Sequence, residues 1–235
     1  MNIVITGGSK GMGKALATKY TTNGHHVFIC ARNLKDLENT AFEINKKNND
    51  TLVQYFVADI SLNHSAKEFA EWLEGQNIIP DILINNAGQF IPGSIYNESD
   101  GLLEKMIAAN LYSAYNLTRA LLPSMMKKKS GHIFNMCSIA SLSAYNNGGS
   151  YSISKYALMG FSKNLREELK PHNIKVTTVY PGAVYTASWE GSGIEPERIM
   201  EVSDVTEMIY AASLLSPQAC VEDIIIRPQQ GDLPS

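Results

Sequence analysis

Seven short apolar runs alternate with six amphipathic stretches along the whole chain, and that alternation leaves few folds open. The runs are residues 3–6, 27–30, 52–57, 82–84, 133–137, 174–180 and 224–227. They are nearly continuous in apolar residues rather than alternating, as strands buried on both faces must be. Between them, residues 10–23, 34–45, 65–74, 100–128, 152–169 and 204–215 carry apolar residues at helical spacing. Strand–helix alternation predicts a parallel sheet with helices on both faces. Right-handed crossovers then give the strand order 3-2-1-4-5-6-7, in an α/β, doubly wound, Rossmann-type fold. No Pro/Ser-rich linker divides the chain, so residues 1–235 read as a single domain. Pro123, near the end of the longest helix, predicts a kink there.

Composition removes several functions. The net charge is −3, which leaves no basic excess for a nucleic-acid backbone. No apolar run reaches the length of a membrane span. Cys30, Cys137 and Cys220 are odd in number and far apart, which suits small buried hydrophobes in a reducing compartment rather than disulfides or zinc. The chain enters its first strand-like run at Ile3, with no targeting segment before it, so a cytoplasmic location is expected. The five histidines show no ligand spacing. They are expected on the surface or in loops, with no metal site. The run Lys127-Lys128-Lys129 reads as a solvated helix end.

The first strand ends in Thr6-Gly7-Gly8-Ser9-Lys10-Gly11-Met12-Gly13. Gly7, Gly11 and Gly13 fit a turn in which backbone approaches a pyrophosphate, with the next helix offering its N–H groups. A plain strand-to-helix turn uses glycine too. The second strand ends at Cys30-Ala31-Arg32-Asn33, without the acid that grips a free ribose 2′-hydroxyl. Arg32 and Lys10 are instead suited to a 2′-phosphate, so NADP(H) is the expected cofactor.

Ser138 closes the fifth strand, and Tyr151 and Lys155 stand four apart at the start of the following helix. Ligands of such sheets lie outside the carboxyl ends of the strands. A hydroxyl, a proton donor and a cation can therefore meet beside the dinucleotide.

With these motifs in one order, the sequence resembles the short-chain dehydrogenase/reductase family over essentially its whole length. The resemblance also rests on Asp59-Ile60, Asn85-Asn86-Ala87-Gly88, Asn110, and Pro181-Gly182 followed by Thr186. It implies that Gly7, Ser9, Lys10, Gly11, Met12 and Gly13 shape the pyrophosphate site. Asp59 and Ile60 would meet the adenine, and Asn86, Ala87 and Gly88 would line the groove. Pro181, Gly182, Val184 and Thr186 would cover the nicotinamide. Tyr151 would be the general acid of a carbonyl reduction, Ser138 would bind the substrate oxygen, and Asn110 would keep a water in the proton relay. Lys155 would hold the nicotinamide ribose and lower the pKa of Tyr151.

The implied substrate is a small carbonyl compound or secondary alcohol. Segments 89–97, 139–150 and 185–200 would form its pocket, bringing Phe90, Tyr96, Tyr145, Tyr185 and Trp189, under a short, open lid. A 3-oxoacyl-carrier-protein reductase would use Lys127, Lys128 and Lys129 to dock its acyl carrier protein, although His172 stands where a second basic spot would be. A non-catalytic NADPH sensor on the same fold is the other class. The helices around Asn110–Met126 and Tyr151 should build a homodimer or homotetramer.

Overall fold

The computed structural model describes residues 1–48, 53–186, 189 and 193–233. The strands are β1 (Asn2–Thr6), β2 (His26–Ala31), β3 (Val53–Val57), β4 (Ile82–Asn85), β5 (Gly131–Met136), β6 (Ile174–Pro181) and β7 (Asp223–Ile226). They form one seven-stranded sheet in the order β3-β2-β1-β4-β5-β6-β7. Every pairing is parallel. This is the topology that the alternation predicts. The expected start of the third strand, Leu52, lies outside the described residues.

Successive side chains of a strand face opposite ways, so each central strand feeds two cores. Ile3 and Ile5 of β1 and Ile82 and Ile84 of β4 point to one side. There they meet Leu16 and Tyr20 of α1 (Gly11–Thr22), Leu37 and Ile44 of α2 (Leu34–Asn48), and Val205 and Ile209 of α7 (Val202–Ser213). Val4 and Leu83 point to the other side. They pack on Phe69 and Leu73 of α3 (Asn63–Gly75), Leu117 and Met125 of α5 (Ser113–Lys128), and Leu165 and Leu169 of α6 (Gly149–Leu169). Each fully buried side chain of this size contributes about 1.5–3 kcal/mol. At the end of α1, Gly24 takes φ +77°, which lets the chain turn back into β2.

The long helix differs from its sequence pattern. α4 (Leu102–Ile107) passes into a π turn at Ala108–Tyr112 before α5 begins. Pro123 sits within α5, which continues to Lys128. A break in regularity thus falls at Asn110, at a place the sequence pattern does not mark. The wider turn carries Asn110 inward, where its side chain is fully buried and hydrogen-bonded.

His132 also departs from expectation. It lies buried in β5, not on the surface. The Thr177 hydroxyl donates to the Val221 carbonyl at 2.6 Å, so it can only accept from His132 Nε2, 2.7 Å away. Nδ1 is then the unprotonated nitrogen, and it has no partner among the described residues. Burial, reinforced by the Lys175 cation, pushes the His132 pKa down to about 3.

The cysteines are all free; Cys30 and Cys137 are buried and Cys220 is half-buried. Burial pushes the Cys30 thiol up to about 12 and Cys137 up to about 11. Among the described residues no helix is long and apolar enough to cross a membrane.

Candidate active site

A cleft of about 620 Å³ runs along the carboxyl ends of β1, β2, β3 and β4. Twelve of the residues singled out in the sequence line it: Gly7, Ser9, Lys10, Gly11, Met12, Arg32, Asp59, Ile60, Asn86, Ala87, Gly88 and Thr186.

Its floor is the glycine turn. Gly7 takes φ +64° and Gly11 φ +53°. A Cβ on Gly7 would lie 3.0 Å from Ala87 Cα, and one on Gly11 would point across to Thr186 Cγ2 at 3.9 Å. Positive φ thus favours glycine at both positions, and the bare turn leaves its backbone open to the cleft. Gly13 acts beneath it: its Cβ would fall 2.2 Å from the Gly7 carbonyl oxygen, so it permits packing instead of lining the cleft. Asn86 also braces the turn, donating from Nδ2 to the carbonyls of Thr6 at 2.9 Å and Gly7 at 3.3 Å. The Thr6 hydroxyl accepts from the N–H groups of Asn86 and Ala87. No side chain caps α1, and its first turn holds no acid. Its free N–H groups and positive dipole end face the cleft, as an anion requires.

Lys10 and Arg32 stand exposed at the outer end of the cleft, without ion-pair partners among the described residues. This donor set fits a dinucleotide with an additional phosphate. Sequence reasoning missed Asp36, which lines the same end. Its place was legible, because Asn33 Oδ1 accepts from the Asp36 N–H at 3.1 Å and starts α2 directly after β2. Ala109 and Ser113 at the inner end were missed as well, whereas Gln89, which also lines it, opens the expected pocket segment 89–97.

The inner end adjoins a buried polar cluster. Asn110 Oδ1 accepts from the Gln89 N–H at 2.7 Å; its Nδ2 donates to the Gln89 carbonyl at 3.0 Å and to Ser154 Oγ at 2.8 Å. Ser154 is on α6, so one amide ties the loop after β4 to the helix of Tyr151 and Lys155. Gly88 makes room for it: a Cβ there would come within 2.8 Å of Asn110 Oδ1 and 3.5 Å of Lys155 Nζ. Lys155 is buried and donates to the Met136 carbonyl at 2.7 Å. Burial lowers its pKa. Ser138 follows β5 in extended conformation, and its hydroxyl accepts from the Ala140 N–H at 3.2 Å.

Tyr151 lies in the first turn of α6, with the Ser138 hydroxyl beside it. Burial pushes its phenol up to about 12, against the downward pull of Ser138. The expected lowering by Lys155 is not what this arrangement gives. Lys155 Nζ lies 5.8 Å from the Tyr151 ring centroid and is engaged by Met136, so desolvation dominates. The chain's own groups hold Tyr151 as a protonated phenol.

Pro181, Gly182 and Val184 lie beyond the cleft lining. Pro181 ends β6, the Gly182 N–H donates to the Ile226 carbonyl at 2.8 Å, and Val184 joins the α1–α7 core and bridges to Met200. Of the expected pocket aromatics, Phe90 packs edge-on against Tyr151 with centroids 4.8 Å apart. Tyr96 is 88% exposed and does not line the cleft. Residues 187–188 and 190–192 of the expected lid lie outside the described residues.

Comparison with known proteins agrees with this geometry. The sepiapterin reductase of Chlorobaculum tepidum is 29% identical over 239 residues, covering 98% of this chain and 97% of that protein. The Mus musculus dehydrogenase/reductase SDR family member 7B is 34% identical over 187 residues, covering 78% of this chain and 58% of its own length. A closed serine dehydrogenase complexed with NADP+ superposes with a TM-score of 0.88 at 27% identity, covering 100% of this chain and 98% of that one. A family model for short chain dehydrogenases matches residues 1–195, a span that holds the glycine turn, the cleft and the Ser138–Tyr151–Lys155 cluster. The chain belongs to the short-chain dehydrogenase family of oxidoreductases.

Proposed function

We propose that the protein is an NADPH-dependent reductase that interconverts a carbonyl compound and its secondary alcohol, with Tyr151 as the proton donor. One observation carries the reading. The Ser138 and Tyr151 hydroxyls and the Lys155 ammonium converge beside Gly88, at the inner end of a cleft whose outer end presents Lys10 and Arg32. The NADP+ bound by the related serine dehydrogenase supports the cofactor choice.

NADPH supplies the hydride when bound. Tyr151 gives its phenol proton to the carbonyl oxygen, and the Ser138 hydroxyl donates to the same oxygen as negative charge develops on it. Lys155 is the residue for the nicotinamide ribose and Arg32, with Lys10, for the 2′-phosphate. Pro181, Gly182, Val184 and Thr186 flank the nicotinamide in this reading. The relay role of Asn110 remains part of it, with the amide itself already engaged by Gln89 and Ser154.

The exposed apolar residues Tyr112, Tyr115, Ile153 and Tyr156 on α5, its π turn and α6 support a homodimer or homotetramer through these helices. Leu121 and Leu158 of the same helices are buried in the core and contribute nothing to that face. A monomeric mass by light scattering at micromolar concentration refutes the assembly. One sheet serving both cores supports a single working domain over 1–235, and three free cysteines suit a cytoplasmic location. A carrier-linked substrate is less well supported, because Lys128 of the basic run is paired with Asp81.

The test is NADPH oxidation with a panel of ketones, aldehydes, quinones and sepiapterin, together with NADP+ reduction by serine, the last two being the compounds in the relatives' names. Turnover that disappears in Tyr151→Phe supports the reading. NADPH binding without turnover of any member makes the protein a sensor instead.

A further inference from the structure

We infer that Glu98 is a positioning residue for the substrate: its carboxylate straps the loop 89–98 onto the amino end of α6 and thereby fixes Phe90 against Tyr151. The inference rests on the proposed role of Tyr151. Glu98 Oε1 accepts from the Ser150 N–H at 2.8 Å, and Oε2 accepts from the Ser150 hydroxyl. α6 has no acid in its own first turn, and Gly148 before it offers no side-chain cap. A carboxylate from a distant loop therefore satisfies donors that the helix cannot satisfy itself.

Two glycines make the seat. Gly149 takes φ +24°, and a Cβ there would fall 1.9 Å from Glu98 Oε1. A Cβ on Gly93 would fall 2.8 Å from Glu98 Cγ. A second line of bonds runs beside the carboxylate: the Gly93 N–H donates to the Asn147 carbonyl at 3.0 Å, and the Ser94 hydroxyl to Asn147 Oδ1 at 2.8 Å. The strapped loop begins just beyond Gly88 and carries Phe90. That ring meets Tyr151 at an interplanar angle of 76° and remains 54% exposed. Phe90 thus offers an open aromatic face beside the proton donor, suited to an aryl or other apolar substituent of the carbonyl substrate.

The experiment compares wild type with Glu98→Ala, Glu98→Gln, Gly149→Ala and the double variant Glu98→Ala/Gly149→Ala. Hydrogen exchange is read in 89–98 and 147–151, and KM is measured for an aryl ketone and for NADPH. In Glu98→Ala both segments should lose protection, and the aryl ketone KM should rise about tenfold while the NADPH KM stays within about twofold. Glu98→Gln keeps an acceptor for the Ser150 N–H and should stay within about threefold of wild type. Gly149→Ala should behave like Glu98→Ala, and the double variant should be no worse than the worse single one, because both lose the same seat. Unchanged exchange in Glu98→Ala overturns the strap. A parallel rise in both KM values, or full additivity in the double variant, overturns the positioning role in favour of a general helix cap. If wild type turns over no carbonyl compound, the proposed function falls, and the exchange arm still decides the strap.

Discussion

The two ends of the cleft are built by different means. The outer end is local: β1, the glycine turn, α1 and the end of β2 lie within one stretch of chain, and the site is made of backbone turns and exposed cations. The inner end joins distant segments through buried side chains. Asn110 reaches Gln89 and Ser154, Lys155 reaches back to Met136, and Glu98 reaches Ser150. The outer end therefore owes its shape to which residues are absent, namely side chains on Gly7 and Gly11. The inner end owes its shape to which polar atoms are satisfied. Damage at the first should appear in cofactor binding, and damage at the second in turnover and substrate binding, with Lys155, the residue for the nicotinamide ribose, the one position that should touch both.

The largest effect tests that division directly. Tyr151→Phe removes one hydroxyl at the inner end and leaves every contact of the outer end in place. Turnover should fall by about 10³-fold or more, with the NADPH dissociation constant unchanged by fluorescence titration. A comparable loss of NADPH affinity would show that the two ends do not act separately.

The next effect belongs to the outer end. Ala31→Asp with Arg32→Ile replaces a phosphate partner with an acceptor for ribose hydroxyls. Each charge-assisted hydrogen bond contributes about 1.5–3 kcal/mol. Preference, measured as the ratio of kcat/KM for NADPH and NADH at fixed ionic strength, should swing toward NADH by about tenfold to hundreds-fold. Turnover at saturating cofactor should hardly change. Equal use of the two cofactors by wild type would make Arg32 and Lys10 ordinary surface cations.

This contrast also explains what the sequence could tell. The parallel sheet followed from the alternation of apolar runs and helical spacing, because each is a one-dimensional pattern; its strand order needed right-handed crossovers and a doubly wound topology as well. The glycine turn was legible for the same reason. Glu98 left no such mark: a glutamate in a polar loop has no period, and its partner Ser150 is brought to it only by the fold. The π turn at Asn110 was hidden because its neighbours keep helical spacing. His132 was misplaced because a polar residue at a strand edge reads as exposed until its partner, Thr177 on β6, is seen across the sheet.

A smaller effect separates stability from chemistry along a single strand. His132 sits in β5 and Ser138 just beyond its carboxyl end. The folded His132 pKa of about 3 is below the unfolded value of about 6.5. Between the two, the unfolded chain takes up a proton that the folded chain refuses. The stabilisation is therefore fully present above about pH 6.5 and declines toward pH 3, by about 1.4 kcal/mol per pH unit. Urea unfolding of wild type should show this acid decline, and His132→Val should flatten it. Identical slopes would place the acid sensitivity elsewhere.

The smallest effect sharpens the account of the outer end. Asp36 lines the cleft with Arg32 and Lys10, at the start of α2. A carboxylate there repels a 2′-phosphate and competes for the same cations, so the outer end discriminates less strongly than its two cations alone would allow. Asp36 is half-exposed and the medium is close to water, which limits the repulsion between unit charges to about 1 kcal/mol at short range. Asp36→Asn keeps the size of the side chain and the fold of α2, whose start is held by the backbone N–H of residue 36 rather than by its carboxylate. The substitution should lower the KM for NADPH by about two- to fivefold, leave the KM for NADH and the turnover number unchanged, and lose its advantage at high salt as the charges are screened. A change confined to NADH would mean that Asp36 grips the ribose hydroxyls, and that the outer end was built for both cofactors.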